Sequence, residues 1–567
     1  MTSRHTEGKV RDFELTMEDA ERLARCFNSF DDSDSWPQGF TQGNPFTGER
    51  LLDDLAKRKK IRTIVAYSGD KIVGHCDVIN AELDEEACYV GLLGADPAYH
   101  GQGYGKAMLI EAAETAARHG KRRIDLHTWG GNLKAMPLYK RTGYNWAPQT
   151  RVLMESHIPG IIGCELFGEF FEKHYWYDAY KRKITQEMDD VVEDGIGVFN
   201  YRFEGDNGDS LDVSIDREAK GIASFSLTVD GKTVSAAIKS QRHYGFIGID
   251  TVPVEFSLTN GTNQVMSYSL EIIPTDNTVV DFDRKQSGEL HPGESQNVEG
   301  TYSIDYGAIP IDREMNPDEK VHTQAEWLLT LDGKTIALYS GLIPKEPITL
   351  SSGPAYPYVS PGEKKTVGLG LQNNTDQPVQ GEVVIKFPSE LDYKYRTISF
   401  ELDSSEESEI DIEITGSLES SVVVLDISVS LDIQGNLVLV NARSLSVGVI
   451  GPAGAYAHRS LDNHYVVENE NLRLTIRDQP PHVFRTIENK ILGEYYGGWG
   501  LIPYLGYPLP SGGNEWERKK FDVRLVNDSD FAAIELEAES VERPGVIFTI
   551  SYGVYPGRDY IEIKVGL

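Results

Sequence analysis

Near residue 195 the hydrophobic pattern changes period, and this change constrains the fold of the chain more than any other feature. Upstream, runs of strand period alternate with runs of helical period. Residues 9–16 read as a short strand, and Thr16, three residues before Asp19, predicts a helix over 17–28. A polar loop bearing aromatics follows, then a second helix through Lys60. The β-rich runs 61–67 and 71–79 flank Ser68-Gly69-Asp70, a hairpin signal. Next come a strand over 88–95 and an Ala-rich helix over 103–119 with Leu109, Ala112, Ala113 and Ala116 on one face. A strand at 123–128 and a helix at 132–141 complete an α/β unit. Residues 161–190 read as helical, with Leu166, Phe170, Tyr177, Tyr180 and Ile184 on one stripe that suits packing between domains. Downstream, short alternating strands take over. The expected class is an N-terminal α/β domain followed by tandem, mostly-β sandwich domains.

Charge and cysteine divide the chain at the same place. Residues 1–185 hold 25 Lys+Arg and 27 Asp+Glu, a net of −2, and the rest carries −31 of the total −33. Such acidity repels phosphate backbones and anionic lipid surfaces, so neither a nucleic acid nor a membrane is expected as partner. All four cysteines (Cys26, Cys76, Cys88, Cys164) lie in the first part, without zinc-type or paired spacing. Buried thiols, no metal and a cytoplasmic location are the expectation. No apolar leader is seen at the N-terminus, and no run reaches the ~18 apolar residues of a membrane span.

The β-rich part echoes itself. Leu227-Thr-Val-Asp-Gly-Lys-Thr-Val234 recurs as Leu329-Thr-Leu-Asp-Gly-Lys-Thr-Ile336, each a hairpin with Asp-Gly in its turn. Val254-Glu-Phe-Ser-Leu-Thr-Asn-Gly-Thr-Asn-Gln264 recurs as Val367-Gly-Leu-Gly-Leu-Gln-Asn-Asn-Thr-Asp-Gln377, and Pro-Gly-Glu stands before a strand at 292–294 and 361–363. Offsets of 102 and 113 residues suit tandem sandwich modules. The expected organisation is 1–157 α/β, 158–192 helical connector, 193–345 with a first sandwich, 346–450 a second, and 455–567 a further sandwich after a linker at 451–454. The last segment stops in what reads as a strand, so it is expected to be incomplete.

The chemistry concentrates in Gly91-Leu-Leu-Gly-Ala-Asp-Pro-Ala-Tyr-His100-Gly-Gln-Gly-Tyr-Gly105-Lys-Ala-Met-Leu109, a strand entering a glycine turn that opens a helix. Such a turn aims backbone N–H groups, at the positive end of a helix dipole, toward a pyrophosphate. A Walker A loop fails because Ala107 follows Gly105-Lys106, and Gly101, Gly103 and Gly105 do not have dinucleotide-fold spacing. Residues 9–150, about a quarter of the chain, instead resemble the GNAT superfamily of acetyl-CoA-dependent N-acetyltransferases. Ala95-Asp96-Pro97 looks like its Val-x-Pro strand end, and His100-Gly101-Gln102-Gly103-Tyr104-Gly105 like its Arg/Gln-x-x-Gly-x-Gly/Ala loop. Asn132-Leu-Lys-Ala135-Met-Pro-Leu138-Tyr139-Lys-Arg-Thr-Gly143-Tyr144 looks like its Asn-x-x-Ala-x-x-Leu-Tyr-x-x-x-Gly-Phe helix.

The resemblance implies a V-shaped split between parallel strands. The pantetheine arm of acetyl-CoA, the co-substrate, would pair near Leu93, Gly94 and Ala95. The loop from His100 through Gly101, Gln102, Gly103, Tyr104 and Gly105 to Lys106 would hold the pyrophosphate, with Asn132 near the cofactor arm. Tyr139 stands where the family places a phenol that protonates the leaving thiolate. His100 departs from the usual Arg/Gln, and no general base is legible; His127 lies at a strand end. Lys106, Arg118, Lys121, Arg122 and Arg123 are read as basic residues around the loop. For the acceptor, an amine such as an amino sugar or glycan, the loop with Asp31, Asp32, Asp34, Trp36, Phe40 and Phe46 is the expected region.

In the β-rich part, 245–345 and 346–450 resemble immunoglobulin-like modules, and the segment from His464 is similar to the opening of galactose-mutarotase-like sandwiches. There Tyr495, Tyr496, Trp499, Tyr504 and Tyr507 could stack on sugars. Two other readings stand beside the enzyme: a binding or scaffold protein whose GNAT domain only senses CoA, and a fragment of a glycan-processing protein.

Overall fold

The computed structural model describes residues 6–33, 39–57, 60–81, 84–148, 150–185, 191–193, 196–308, 320–353, 357–388, 395–416, 421–449, 454–461, 463–478, 484–497, 516, 519–541 and 544–566. The 451–454 linker (apart from Gly454), Trp499, Tyr504, Tyr507, Asp34 and Trp36 lie outside these residues.

Seven strands form the first sheet: β1 (Val10–Asp12), β2 (Arg62–Ser68), β3 (Lys71–Asn80), β4 (Ala87–Ala95), β5 (Arg123–His127), β6 (Asn145–Trp146) and β7 (Leu153–Ser156), in the order β1-β2-β3-β4-β5-β7-β6. Only β4 and β5 pair in parallel. The β2–β3 hairpin turns at Gly69, whose φ of 57° needs no Cβ to be moved aside. Helix α1 (Met17–Ser29) starts as expected, the Thr16 hydroxyl accepting from Asp19 N at 3.3 Å. It buries Ala20, Leu23, Ala24 and Phe27, and Phe27 meets the His75 ring on one face of β3. Helix α3 (Tyr104–Arg118) covers the opposite face, where Met108 lies against Gly74 and the apolar residues of β2 to β5 close the core. Helix α2 (Gly48–Lys57) packs beside α1, and α4 (Met136–Arg141) follows the turn at 132–135.

Of the expected helix over 161–190, the described residues 161–185 do not form a continuous one. The backbone makes α5 (Ile158–Ile162), a 3-10 turn (Glu165–Phe167) and two helices, Gly168–Lys173 and Trp176–Ala179. Gly163 ends α5, and extended backbone at Cys164, Tyr175 and Tyr180 breaks the path each time. Tyr180 enters a strand opposite Phe203 instead of continuing a helical stripe.

Beyond Ile196 the regular elements are strands, apart from 3-10 backbone at Asp206–Gly208 and at Trp516, among the described residues. Residues 1–245 and 250–345 make one compact unit; 246–249 and 346–567 make the other. In the first unit a nine-stranded sheet faces a four-stranded one, with the Phe256 and Trp327 rings stacked at 5.6 Å. Trp327 Nε1 donates to the Tyr302 hydroxyl at 2.6 Å. Both Asp-Gly hairpins turn with φ positive at both central residues, 51° and 72° at Asp230-Gly231 and 45° and 87° at Asp332-Gly333. That is the turn whose twist matches the strands.

The second unit holds a three-stranded and a five-stranded sheet around one core that includes Val367, Ile412, Val383 and Leu425. A five-stranded and a four-stranded sheet follow, packed around Leu474, Trp516, Ile534 and Phe548.

Candidate active site

β4 and β5 stay paired over Ala87↔Arg123, Cys88↔Ile124 and Tyr89↔Asp125 and then part. From there β4 is held on its other edge by β3, and β5 by β7, so two strand edges face each other across a split. The cause lies in β4. Val90 is opposite Val78 and Leu92 opposite Asp77, leaving Gly91 as an extra residue, and a bulge of this kind bends its strand. Leu93, Gly94 and Ala95 occupy the parted stretch and are half-buried. At the apex the Tyr89 hydroxyl bridges to His127 Nδ1 at 3.0 Å and accepts from His127 N at 3.2 Å.

At the open end of β4 the chain turns tightly. Asp96 accepts from Ala98 N at 2.9 Å, and His100 Nε2 donates to the Ala95 carbonyl at 2.9 Å. His100 therefore ties the loop back to the strand end. Gly101 and Gly103 have φ of 77° and 84°, and Gly103 caps α3 in the left-handed region. N–H groups in the first turn of a helix lack intrahelical acceptors, so the turn presents donors and a partial positive charge together. A Cβ on Gly103 would lie 3.5 Å from Lys9 Nζ and 4.0 Å from Lys106 Cε, so this side of the loop faces two cations. Lys9 Nζ also donates to the Gln102 carbonyl at 3.3 Å.

Lys9 is a residue that sequence reading missed, because 93 positions separate it from Gln102. Arg118, Lys121, Arg122 and Arg123, read as surrounding the loop, lie at the other end of α3 or beyond it. A helix of this length spans about 22 Å at 1.5 Å per residue. Arg118 pairs there with Glu111 at 2.8 Å and Arg123 with Asp84 at 2.9 Å.

Tyr139 sits in the apolar core of the domain beside Met136 and Tyr144, its ring 6.1 Å from that of Tyr144. Burial pushes its phenol up to about 12, so it carries its proton at neutral pH. Asn132 uses both ends of its side chain locally, donating to Thr128 Oγ1 at 3.1 Å and accepting from Ala135 N at 3.2 Å. It shapes the entry to α4.

On the α1 side Asp32 is exposed, whereas Asp31 is bound to the Thr41 backbone N at 2.8 Å and to its hydroxyl. Phe46 is buried and Phe40 half-buried, stacked at 5.5 Å and packed against Phe27. These two aromatics of the loop expected to meet the acceptor thus pack against α1. Phe30 completes the cluster and lies over Gly94. Beneath it, Asp77 accepts from Lys60 Nζ at 2.9 Å and Thr63 Oγ1 at 2.7 Å and lies 3.3 Å from His75 Nε2. Despite burial, which opposes ionisation, these partners hold its carboxyl well below the usual range.

Residues 27–144 match the model of the acetyltransferase (GNAT) family. This segment is a GNAT acetyltransferase domain; the strand-rich remainder lies outside the match. Solved structures similar to part of the chain include the PaiA N-acetyltransferase of Thermoplasma acidophilum in complex with coenzyme A, at 19% identity over 26% of this chain and 98% of that one, with a TM-score of 0.22. A GNAT-family acetyltransferase of Streptococcus pneumoniae has 22% identity, covering 26% and 97%, with a TM-score of 0.22. An acetyltransferase of Thermus thermophilus has 24% identity, covering 26% and 94%, with a TM-score of 0.21. No curated protein matches the chain.

Proposed function

We propose that the chain is an N-acetyltransferase that uses acetyl-CoA to acetylate a primary amine by direct attack. The observation that carries this reading is the split itself: a bare strand edge at 91–95 leading into a two-cation glycine turn at the start of α3. That arrangement suits a pantetheine arm ending in a pyrophosphate.

Acetyl-CoA would supply an activated thioester. The N–H groups of Gly101 to Lys106, with Lys9 and Lys106, hold the pyrophosphate; His100 keeps the turn fixed to Ala95. The edge of Leu93, Gly94 and Ala95 pairs with the arm and presents N–H groups that polarise the carbonyl. Asn132 positions α4, and Tyr139 keeps a proton for the thiolate. Asp32 puts negative charge on the acceptor side, which favours a cationic amine arriving from solvent. The β-modules serve acceptor or partner binding, with an amino sugar or glycan as the class to try first.

Calorimetric titration of acetyl-CoA tests the cradle. A Val at Gly103 would need φ near 84° and would meet Lys9, so Gly103→Val should weaken binding at least tenfold. Absence of binding by the unaltered chain at millimolar acetyl-CoA would overturn the reading in favour of a scaffold.

A further inference from the structure

The proposed transfer sets free a proton that the glycine turn and Tyr139 leave without a route. An amine arriving as its ammonium ion must lose one proton before its lone pair can attack, and a second once the C–N bond has formed. Tyr139 keeps a single proton, for sulfur, and packs in the core under α3. The opposite face of the sheet brings a second phenol to the split.

Cys88, Val90, Ile124 and Leu126 turn into the core under α3. Strand alternation therefore sends Tyr89, Asp125 and His127 to the other face, the one on which Phe27 of α1 meets His75. Tyr89 is opposite Asp125 in the last paired step before β4 and β5 part. Its hydroxyl accepts from His127 N at 3.2 Å and lies 3.0 Å from Nδ1. Tyr89 is half-buried and His127 exposed, so the pair leads from the apex of the split to solvent. Ile79 is opposite Tyr89 on β3, and Leu153 opposite His127 on β7. The carboxylates on this face are engaged, Asp125 with Arg123 at 2.9 Å and Glu155 with Lys220 at 2.6 Å. Burial first, then Cys76 and Tyr89, push the Tyr139 phenol up, which puts the two hydroxyls within electrostatic reach. A pantetheine arm that leaves the glycine turn and follows β4 backward from Ala95 brings its thioester toward this apex.

On the reading of the chain as an acetyltransferase, we propose that Tyr89 is the catalytic residue that takes the acceptor's first proton, and that His127 passes it to solvent. The ammonium gives a proton to the Tyr89 oxygen while the Tyr89 O–H proton moves to His127 Nδ1, so the phenol stays neutral and the ring becomes positive. The amine lone pair attacks the thioester carbon, and the C=O pair moves to oxygen. On collapse that pair returns, and the C–S pair leaves on sulfur, which takes the Tyr139 proton. The second N–H proton then restores Tyr139, and His127 gives its extra proton to water. One ammonium ion and one thioester yield one amide, one thiol and one proton. A phenol alone is a poor sink for the first proton; a histidine behind it is a good one, since its charge ordinarily changes between pH about 5 and 8.

The full chain, His127→Gln and Tyr89→Phe are assayed for thiol release between pH about 6 and 10 with glucosamine, spermidine and benzylamine, and the fastest acceptor is carried forward. At a pH about two units below ionisation of that acceptor's ammonium, both variants should lose at least tenfold in kcat/KM. The loss should close to under about threefold above that ionisation, because free amine needs no relay. Calorimetry should give acetyl-CoA affinities within about twofold of the unaltered chain. If Tyr89→Phe does not fold, His127→Gln, altered at an exposed side chain, decides the matter. A loss of equal size at every pH, an unchanged kcat/KM in His127→Gln, or acetyl-CoA affinity falling in step with activity would each overturn the proposal while leaving the acetyltransferase reading in place. No thiol release by the unaltered chain with any of the three amines would overturn both.

Discussion

Gly94 and Gly74 stand one strand apart on opposed strands, and an added methyl would meet very different neighbours. At Gly94 it would come within 2.5 Å of the Phe30 ring, which is itself locked among Phe27 and Phe40. At Gly74 it would meet Met108 Cε at 2.8 Å, the far end of a flexible chain, and the Gly94 carbonyl at 3.2 Å. Gly94→Ala should therefore cost about 1–3 kcal/mol and weaken acetyl-CoA binding, while Gly74→Ala should cost less and leave binding alone. Urea unfolding with calorimetry on both variants checks this; equal losses would show that Phe30 yields as readily as Met108. The loop glycines were legible in the sequence because a turn between strand and helix demands positive φ, and Gly101 and Gly103 have it. Lys9, Tyr89 and Phe30 were not, since each reaches the split through side-chain packing across dozens of residues.

Two echoed segments of the strand-rich part show how far a motif can be read at the level of elements. Asn260 Nδ2 donates to the carbonyls of Gln264 and Leu290, both at 2.8 Å, and its Oδ1 accepts from Thr262 N and hydroxyl. Asn373 repeats this with Gln377, Asp403 and Thr375 at 2.8 to 2.9 Å. The Asn-x-Thr triplets are thus buried corners that tie one strand end to the next turn, which is why the same residues recur. Asn373→Ala should destabilise the second unit by about 2–4 kcal/mol, as several backbone groups lose their partner at once. Chemical denaturation reads the loss, and a change under about 0.5 kcal/mol would mean that water replaces the amide. Hairpins and corners carry their instructions in three or four adjacent residues and were legible. The breaks between 161 and 185 were not: a stripe of apolar residues cannot show that Gly163 ends α5 and that Tyr180 pairs with a strand.

At the scale of the molecule, the first unit joins the acetyltransferase sheet to the strands after 196 through buried polar contacts. Lys220 and Glu155, both fully buried, pair at 2.6 Å. The Tyr201 hydroxyl accepts from Asn145 Nδ2 and His157 N and donates to the Gly143 carbonyl, at 2.9 to 3.0 Å. Lys220→Met leaves a carboxylate buried without its ammonium and should cost about 3–5 kcal/mol. The double replacement Lys220→Met with Glu155→Leu should recover most of that loss, and a double variant as unstable as the single would rule out the uncompensated charge as the cause. The −31 is carried by the residues after 185, whereas Lys9 and Lys106 put positive charge beside the glycine turn.

Release of free CoA thiol reads the proposed acetyl transfer itself. Full-length chain is incubated with acetyl-CoA and a panel of amines, amino sugars and peptides, beside Tyr139→Phe. Amine-dependent thiol release and an acetylated amine by mass spectrometry are predicted, with kcat for Tyr139→Phe about a hundredfold lower at unchanged acetyl-CoA affinity. Thiol release that no amine stimulates, or a kcat that Tyr139→Phe leaves untouched, would contradict the account.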